Sequence, residues 1–299
     1  MQTKAGVILN PVAGKKRGKL LLPDLLEGLC RRNILPIVHV TSKRRDAERA
    51  AIAFGKDCDM LCCIGGDGTL NEVICGLMCQ TVRPPLLYIP TGSTNDFAQT
   101  CGIPSDLNRA MELVASNQTR TVDIGCLCDR YFTYIASFGL FTRTTYATDQ
   151  SVKNIIGHMA YLLEGAKELS DLGKSYHVKI THDTGSIEGD FLFGGVANTL
   201  SIGGIFHLPR RHVVLDDGKF ELMLIRLPKN ADELLRAFNM MQSGAYDGDL
   251  IRFLSTTKVK FKSDQPISWC LDGEYAGDRA EACATNLARS LTLYAQDPR

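Results

Sequence analysis

The run Gly65-Gly66-Asp67-Gly68-Thr69-Leu70-Asn71-Glu72 directly follows the apolar stretch Met60 to Ile64. Glycine permits positive φ and lets backbone approach a ligand closely. A carboxylate at Asp67 can hold a metal ion or a hydroxyl, and Thr69 and Asn71 can cap a helix or bond phosphate oxygens. Together these groups suit a nucleoside triphosphate. Taken alone, the string also reads as a glycine-rich turn in which Asp67 and Thr69 merely cap the following helix. Two companion turns have similar chemistry: Asn10-Pro11-Val12-Ala13-Gly14 and Pro90-Thr91-Gly92-Ser93-Thr94-Asn95-Asp96, each after an apolar run. The scheme is not the Walker loop, because Gly14-Lys15-Lys16 lacks the required length and hydroxyl, and no H-R-D catalytic loop occurs.

Such turns need a rigid frame. Strands are expected over Ala5 to Asn10, Leu35 to Val40, Met60 to Ile64 and Leu86 to Ile89. Helical periodicity fills the intervals, over Leu20 to Asn33, Asp46 to Gly55 and Leu70 to Cys79. This alternation predicts a doubly wound α/β domain whose ligand sites lie beyond the carboxyl ends of the strands, where the three turns fall. After Thr119 the texture becomes β-rich, with strands expected over Arg120 to Cys128, Tyr131 to Ser137, Tyr176 to His182, Ser186 to Ala197 and Phe220 to Arg226. A late pair is expected over Ser255 to Lys262 and Pro266 to Leu271, with helices over Val152 to Leu172 and Asp232 to Ser243. The final strand, Ser290 to Ala295, is expected to return to the first domain. The domains are therefore drawn as 1–119 with 288–299, and 120–287.

Composition narrows the function classes. The 299 residues exceed the usual single-core size, and 44% hydrophobic with 22% charged residues is globular composition. Thirty-four basic against thirty-three acidic residues leave a charge of +1, so no global field favours nucleic acid. No apolar run approaches the roughly 18 residues of a membrane span, and MQTKAGVILN lacks a signal-peptide pattern. The expectation is a cytoplasmic protein whose membrane contact is local. Cys62, Cys63, Cys75 and Cys79 fall in apolar patterns and read as reduced core thiols, and the Cys126/Cys128 pair lacks partners for zinc. Trp269, Phe191 and Phe193 read as core. The basic runs Lys15 to Lys19 and Lys43 to Arg45 read as solvated faces that also flank the proposed phosphate turns.

The motifs resemble those of the diacylglycerol kinase catalytic-domain family, which includes soluble bacterial diacylglycerol kinases and relatives of sphingosine and ceramide kinases. The likeness rests on Asn10-Pro11-x-x-Gly14, Gly65 to Glu72, Pro90-x-Gly92-Ser93-x-Asn95-Asp96-Phe97, Asp216-Asp217-Gly218 and Leu271-Asp272-Gly273-Glu274, in this order across nearly the whole chain. The resemblance implies an N-terminal α/β domain related to those of NAD kinases and phosphofructokinases, a C-terminal β-sandwich, and an active site in the cleft between them. It implies ATP contacts at Asn10, Pro11, Val12, Ala13, Gly14, Thr41, Gly65, Gly66, Asp67, Gly68, Thr69, Leu70, Asn71 and Ser93. Ser93 stands where the family more often has threonine. Catalytic carboxylates are implied at Asp67, Asp96, Asp272 and Glu274, with Asp272 the favoured base and Glu274 close behind. A structural Mg²⁺ is implied on the Asp217 carboxylate and the carbonyls of Val214 and Lys219, with a second Mg²⁺ arriving with ATP. Lys219 replaces a frequent aromatic. From local sequence alone, Asp272-Gly273 and Asp217-Gly218 are also ordinary turn pairs.

The resemblance thus implies an ATP-dependent lipid kinase, with diacylglycerol the default acceptor, acting from the cytoplasm at the membrane surface; association as a homodimer is left open. Two other readings compete. A kinase of a soluble acceptor would share the GGDG turn, but NAD kinases lack the Asn-Pro-x-x-Gly and Pro-x-Gly-x-x-Asn-Asp strings in this arrangement. A non-catalytic nucleotide or lipid regulator on the same fold would need no carboxylates, yet every one is retained.

Overall fold

Apolar β-branched runs and amphipathic helices alternate from the first strand onward, and the backbone follows them. The computed structural model describes residues 2–93, 95–139, 174–202, 206–208 and 213–296. Cα proximity divides the chain into two compact units, Met1–Ile124 with Ala288–Arg299, and Gly125–Leu287.

In the first unit the elements are β1 (Thr3–Leu9), α1 (Arg17–Cys30), β2 (Ile34–Val40), α2 (Asp46–Asp57), β3 (Met60–Gly65), α3 (Asp67–Met78), β4 (Leu86–Pro90), α4 (Asp96–Cys101) and α5 (Leu107–Ala115). Strands β4, β3, β1 and β2 lie side by side in that order, all parallel. The last strand of the chain, Glu274–Tyr294, extends this sheet by pairing Leu293 with Leu86. The chain leaves β1 toward one edge to make β2, then crosses back to make β3 on the other side of β1. The ends of β1 and β3 therefore form a topological switch point, where a crevice opens in such sheets. Leu9, Leu25, Leu29, Ile64, Ile89 and Met111 are buried in a shared core between the sheet and its helices. Each such side chain contributes about 1.5 to 3 kcal/mol by leaving water.

Helix α3 begins at Asp67, three residues before the expected start, leaving Gly66 as the single linker after β3. Gly68 and Thr69 are thus helical rather than loop residues, and Asn71 is helical as expected. Helix α4 follows the fourth turn, and α5 has no counterpart among the expected elements. The cap of α5 is nevertheless visible in sequence, since Asp106 accepts from the Arg109 N–H at 3.0 Å. Cys62 and Cys63 are buried, with burial pushing the Cys62 thiol up to about 12, but Cys79 is exposed at the end of α3 and is not a core thiol.

The remaining elements are β5 (Thr119–Leu127), β6 (Arg130–Phe132), β7 (Ile135–Gly139), β8 (Tyr176–His182), β9 (Gly185–Ala197), β10 (Ser201–Ile202), β11 (Phe206–His207), β12 (Phe220–Arg226), α6 (Ala231–Ser243), β13 (Ile251–Thr256), β14 (Lys258–Leu271) and β15 (Glu274–Tyr294). In the second unit the pairing is antiparallel, and long β9 and β14 each pair with both β7 and β8. Trp269, Phe138 and Phe261 meet edge to face, with centroids 4.9 to 5.9 Å apart, in the centre of its core. Trp269 and Phe191 are therefore core, as expected, and Phe193 is buried too.

Some expected boundaries moved, each for a local reason. The run Tyr131 to Ser137 breaks into β6 and β7 because the N–H groups of Thr133, Tyr134 and Ile135 turn to a carboxylate. The late pair divides at Thr257, whose N–H donates to Asp183 at 2.6 Å, and Pro266 is absorbed in β14 at a register shift between Lys262 and Ile267. The strand expected at Ser290 is the end of β15, 21 residues long. The helix expected over 152–172 lies outside the described residues.

Candidate active site

The turns after β1, β2, β3 and β4 are laced together by backbone. Asn10 N–H donates to the Ile64 carbonyl at 2.9 Å, Thr41 N–H to Leu9 at 2.9 Å, and Thr91 N–H to Gly65 at 2.8 Å. Asn10 then works with both ends of its side chain. Its Oδ1 accepts from the Val12 N–H at 3.1 Å, and its Nδ2 donates to Thr69 Oγ1 at 2.8 Å, binding the first turn to α3.

Glycines allow the close approach. Gly14 has φ +53°, and a Cβ there would fall 1.4 Å from the Thr91 carbonyl oxygen. A Cβ on Gly92 would lie 2.9 Å from Gly66 Cα, so these two turns meet backbone to backbone. Asn95, at φ +52°, closes the fourth turn by accepting from Gly92 N–H at 3.0 Å and donating to the Gly92 carbonyl at 2.9 Å. The buried Tyr88 hydroxyl lies 3.2 Å from the Gly65 carbonyl oxygen, and its pKa is pushed up by burial and then by the nearby Asp67 charge.

Beside the switch point the turns after β1 and β2, with the starts of α2 and α3, line a cavity of about 500 Å³, within the size range of small-molecule sites. Asn10, Pro11 and Val12 line one side, Thr41 to Arg44 another, and Thr69 and Glu72 the floor. Val12, 72% exposed, offers apolar surface at its mouth. Of the residues expected to contact a nucleotide, Asn10, Pro11, Val12, Thr41 and Thr69 line this cavity. Gly14, Gly65 and Gly66 lie in the adjoining turns and do not line it, Ala13 continues the first turn and Gly68 and Asn71 lie in α3, whereas Leu70 is buried in the core and Ser93 is exposed on the fourth turn. Asp67 and Asp96 each occupy the first position of a helix, where a carboxylate is favoured, and Asp96 is only 3% exposed.

Two carboxylates that the sequence reading left unassigned hold the second turn. Asp46 accepts from Ser42 N–H at 2.8 Å and Ser42 Oγ at 3.1 Å, with Arg49 at 3.2 Å. Glu72, from α3, accepts from Arg45 N–H at 2.7 Å and Ala47 N–H at 3.2 Å, capping α2. Their signal was present: acidic residues at a helix start, and a glutamate within the GGDG string. The Ser42 N–H foremost, with Arg49, Ser42 Oγ and His39, holds the Asp46 carboxyl well below its usual value. The anchor is therefore fully present above the ordinary carboxylate pKa and is lost only as pH falls through the lowered one. The Asp46 side-chain carboxyl carbon is expected to take its protonated resonance only below about pH 4; protonation of Asp46 with a midpoint above that would contradict the anchor.

The Leu271-Asp272-Gly273-Glu274 segment is a two-residue hairpin, with Leu271 paired to Glu274 and positive φ at Asp272 (+47°) and Gly273 (+83°). Its carboxylate does more than the turn requires. Asp272 Oδ2 accepts from Thr133 N–H at 2.6 Å and Thr133 Oγ1 at 2.8 Å, and Oδ1 from Tyr134 and Ile135 N–H, both at 3.0 Å. Burial raises this carboxyl, and those donors pull against it. With about four acceptor positions on a carboxylate, the Asp272 side chain is committed to the β6–β7 connection. Glu274 is exposed.

Asp217 makes a local turn, its Oδ1 accepting from Lys219 N–H at 2.9 Å, with Gly218 at φ +79°. The Lys219 carbonyl accepts from Asn286 Nδ2 at 2.7 Å, which leaves one lone-pair direction for another partner. A carboxylate and two carbonyls form a hard oxygen set that fits Mg²⁺. Among the described residues no group of three or more His, Cys, Asp and Glu side chains gathers as a metal cluster.

A family model for the diacylglycerol kinase catalytic domain matches residues 4–127. The diacylglycerol kinase of Staphylococcus epidermidis is 32% identical over 98% of this chain and 92% of its own length. That of Bacillus subtilis is 34% identical over 92% of this chain and 90% of its own. A crystal structure of a diacylglycerol kinase from Bacillus anthracis shares the fold, with a TM-score of 0.75 at 19% identity over 99% of this chain and 97% of that one. Sequence likeness of this extent places the chain in the diacylglycerol kinase family.

Proposed function

We propose that this kinase transfers the γ-phosphoryl group of ATP to the free hydroxyl of diacylglycerol, giving phosphatidic acid. The observation that carries the reading is the cavity beside the switch point, where Asn10, Thr41, Lys43, Arg44 and Thr69 converge in a chain of this family. The first unit is assigned the nucleotide, and the second, read as a β-sandwich, the lipid. Asn10, Thr69 and the Gly65-Gly66 backbone hold the phosphates, Val12 and Pro11 cover the apolar base, and Lys43 and Arg44 balance triphosphate charge. Mg²⁺ bound with ATP would neutralise charge on the transferring phosphoryl group; Asp67 and Asp96 would hold it. Asp217, Val214 and Lys219 would hold a structural Mg²⁺.

A lipid hydroxyl must lose its proton as it attacks phosphorus, and a carboxylate with an accessible oxygen is the usual base. Since the Asp272 acceptor positions are occupied, that role is assigned to Glu274, with Asp272 keeping the hairpin and the β6–β7 connection in place. Glu274 ends the step protonated, and ADP leaves. Among the described residues no helix is long and apolar enough to cross a membrane, so a lipid acceptor would be met at the bilayer surface.

The test is phosphate transfer from labelled ATP to diacylglycerol in mixed micelles, alongside ceramide, phosphatidylglycerol, a polyprenol and NAD as rival acceptors. Labelled phosphatidic acid that disappears in Asp67→Ala supports the reading. Labelling of NAD alone, or of no acceptor, would overturn it.

A further inference from the structure

Three of the four cysteines of the second unit gather on one face of adjoining strands, apart from the residues assigned to the reaction. In β15, Ala282 and Ala284 are buried in the core, so Cys283 between them points to the outer face. In β5, Leu127 enters the same core, so Cys126 before it also points outward. Cys128 follows in the turn to β6, exposed and at φ +57°. Its N–H donates to the Cys283 carbonyl at 2.7 Å, and the Cys126 thiol lies 3.5 Å from the Cys128 carbonyl oxygen.

Residues of a hydrogen-bonded antiparallel pair have Cα atoms about 5.5 Å apart, and the Cys128 N–H on the Cys283 carbonyl holds these two residues at a separation of that order. That lies inside the roughly 4.4 to 6.8 Å that a disulfide spans. Cys128 and Cys283 also line the same open groove, of about 490 Å³, together with Lys179, Lys260, Lys262 and Glu281. Lys262 is engaged by Glu281 at 3.1 Å and Lys179 by Glu188 at 3.7 Å. Lys260 sits directly opposite Cys283 in the ladder and makes no ion pair among the described residues. Partly exposed thiols in electropositive surroundings are the ones that react.

We propose that Cys128 and Cys283 form a reversible redox pair that closes to a disulfide by exchange with a small anionic disulfide, drawn into the groove by Lys260. One protein thiolate displaces half of the small disulfide as a thiol, giving a mixed disulfide. The other protein thiolate then attacks the protein-bound sulfur and releases the second half. Two protein thiols are oxidised, one small-molecule S–S bond is reduced, and two small thiols leave with the protons. Cys126 is the bystander: its thiol points to the Cys128 carbonyl oxygen at 3.5 Å, and burial foremost, with Cys128, Asp129 and Cys283 beside it, raises its pKa.

The test is incubation of the full-length, reduced protein with oxidised glutathione, read by intact mass and peptide mapping. The expected product has lost two hydrogens, retains no glutathione on this pair and contains a Cys128–Cys283 cross-linked peptide. Cys128→Ser should instead retain one glutathione on Cys283, and Cys283→Ser one on Cys128, while Cys126→Ser should close normally. Lys260→Gln should slow closure by oxidised glutathione several-fold without slowing closure by cationic cystamine. A bridge to Cys126, adducts confined to exposed Cys30 and Cys79, or equal slowing with both reagents would overturn the proposal. Each readout is a mass or a rate of thiol chemistry, so none depends on the kinase reading.

Discussion

Glu274→Gln is expected to lower turnover by about 10²- to 10⁴-fold while leaving the urea midpoint unchanged, whereas Asp272→Ala should lose stability first. The contrast follows from what each carboxylate touches. Glu274 is exposed on the hairpin, and its amide analogue keeps the shape of the side chain but cannot take a proton. Asp272 accepts from three backbone N–H groups and the Thr133 hydroxyl. Its truncation strands donors that each cost about 1 to 3 kcal/mol when buried and unpaired. Because neighbouring losses do not add fully, a net destabilisation of about 3 to 5 kcal/mol is expected. That is a large share of the roughly 5 to 15 kcal/mol that holds a domain. Asp272→Asn keeps one oxygen and should fall between wild type and alanine in stability. The measurements are urea unfolding and turnover on the same variants. If Asp272→Asn unfolds like wild type yet does not turn over, and Glu274→Gln remains active, Asp272 is the base and the assignment made here is reversed.

Gly14→Ala is expected to be the most damaging single-methyl change in the first unit. The added Cβ would lie 1.4 Å from the Thr91 carbonyl oxygen, which is backbone and cannot rotate away, and φ at this position is +53°. The left-handed conformation alone costs a non-glycine residue roughly 1 to 2 kcal/mol, and the clash must then push the first turn off the fourth. A total of about 3 kcal/mol or more is expected, with nucleotide affinity falling in parallel because Asn10 and Val12 move with the turn. Gly248→Ala supplies the control: its φ is +79°, but nothing lies within 4 Å of the new Cβ, so it should show only the conformational cost. Denaturation with both variants and nucleotide titration of Gly14→Ala separate the two contributions. Equal losses would mean that the Thr91 contact relaxes freely and that the first turn is not held against the fourth.

Much of the first unit was legible because its signals are local. Apolar runs at β1, β3 and β4 bounded by glycine and proline, and helical periodicity in α1 and α2, need no knowledge of distant partners. The turns that follow these strands were legible for the same reason, since small and φ-permissive residues mark where backbone must turn closely. Less of the second unit could be read this way. Nothing near Tyr131 announces that the chain breaks at Thr133, because the carboxylate that captures those N–H groups is 139 residues away at Asp272. The last strand was read as a short segment because its Gly, Asp and Arg residues mask a continuous ladder that only its partners stabilise.

By itself, then, the sequence determined that Gly65 to Glu72 would enter a helix from a buried strand and that the motifs are those of diacylglycerol kinases. The tertiary structure decided which groups meet: Asn10 with Thr69, Glu72 with the start of α2, Cys128 with Cys283. It also decided that Asp272, the base that the family resemblance favoured, accepts from Thr133, Tyr134 and Ile135. The physical reason is that residue type and spacing dictate local backbone, whereas the use of a carboxylate depends on which donors the folded chain brings to it.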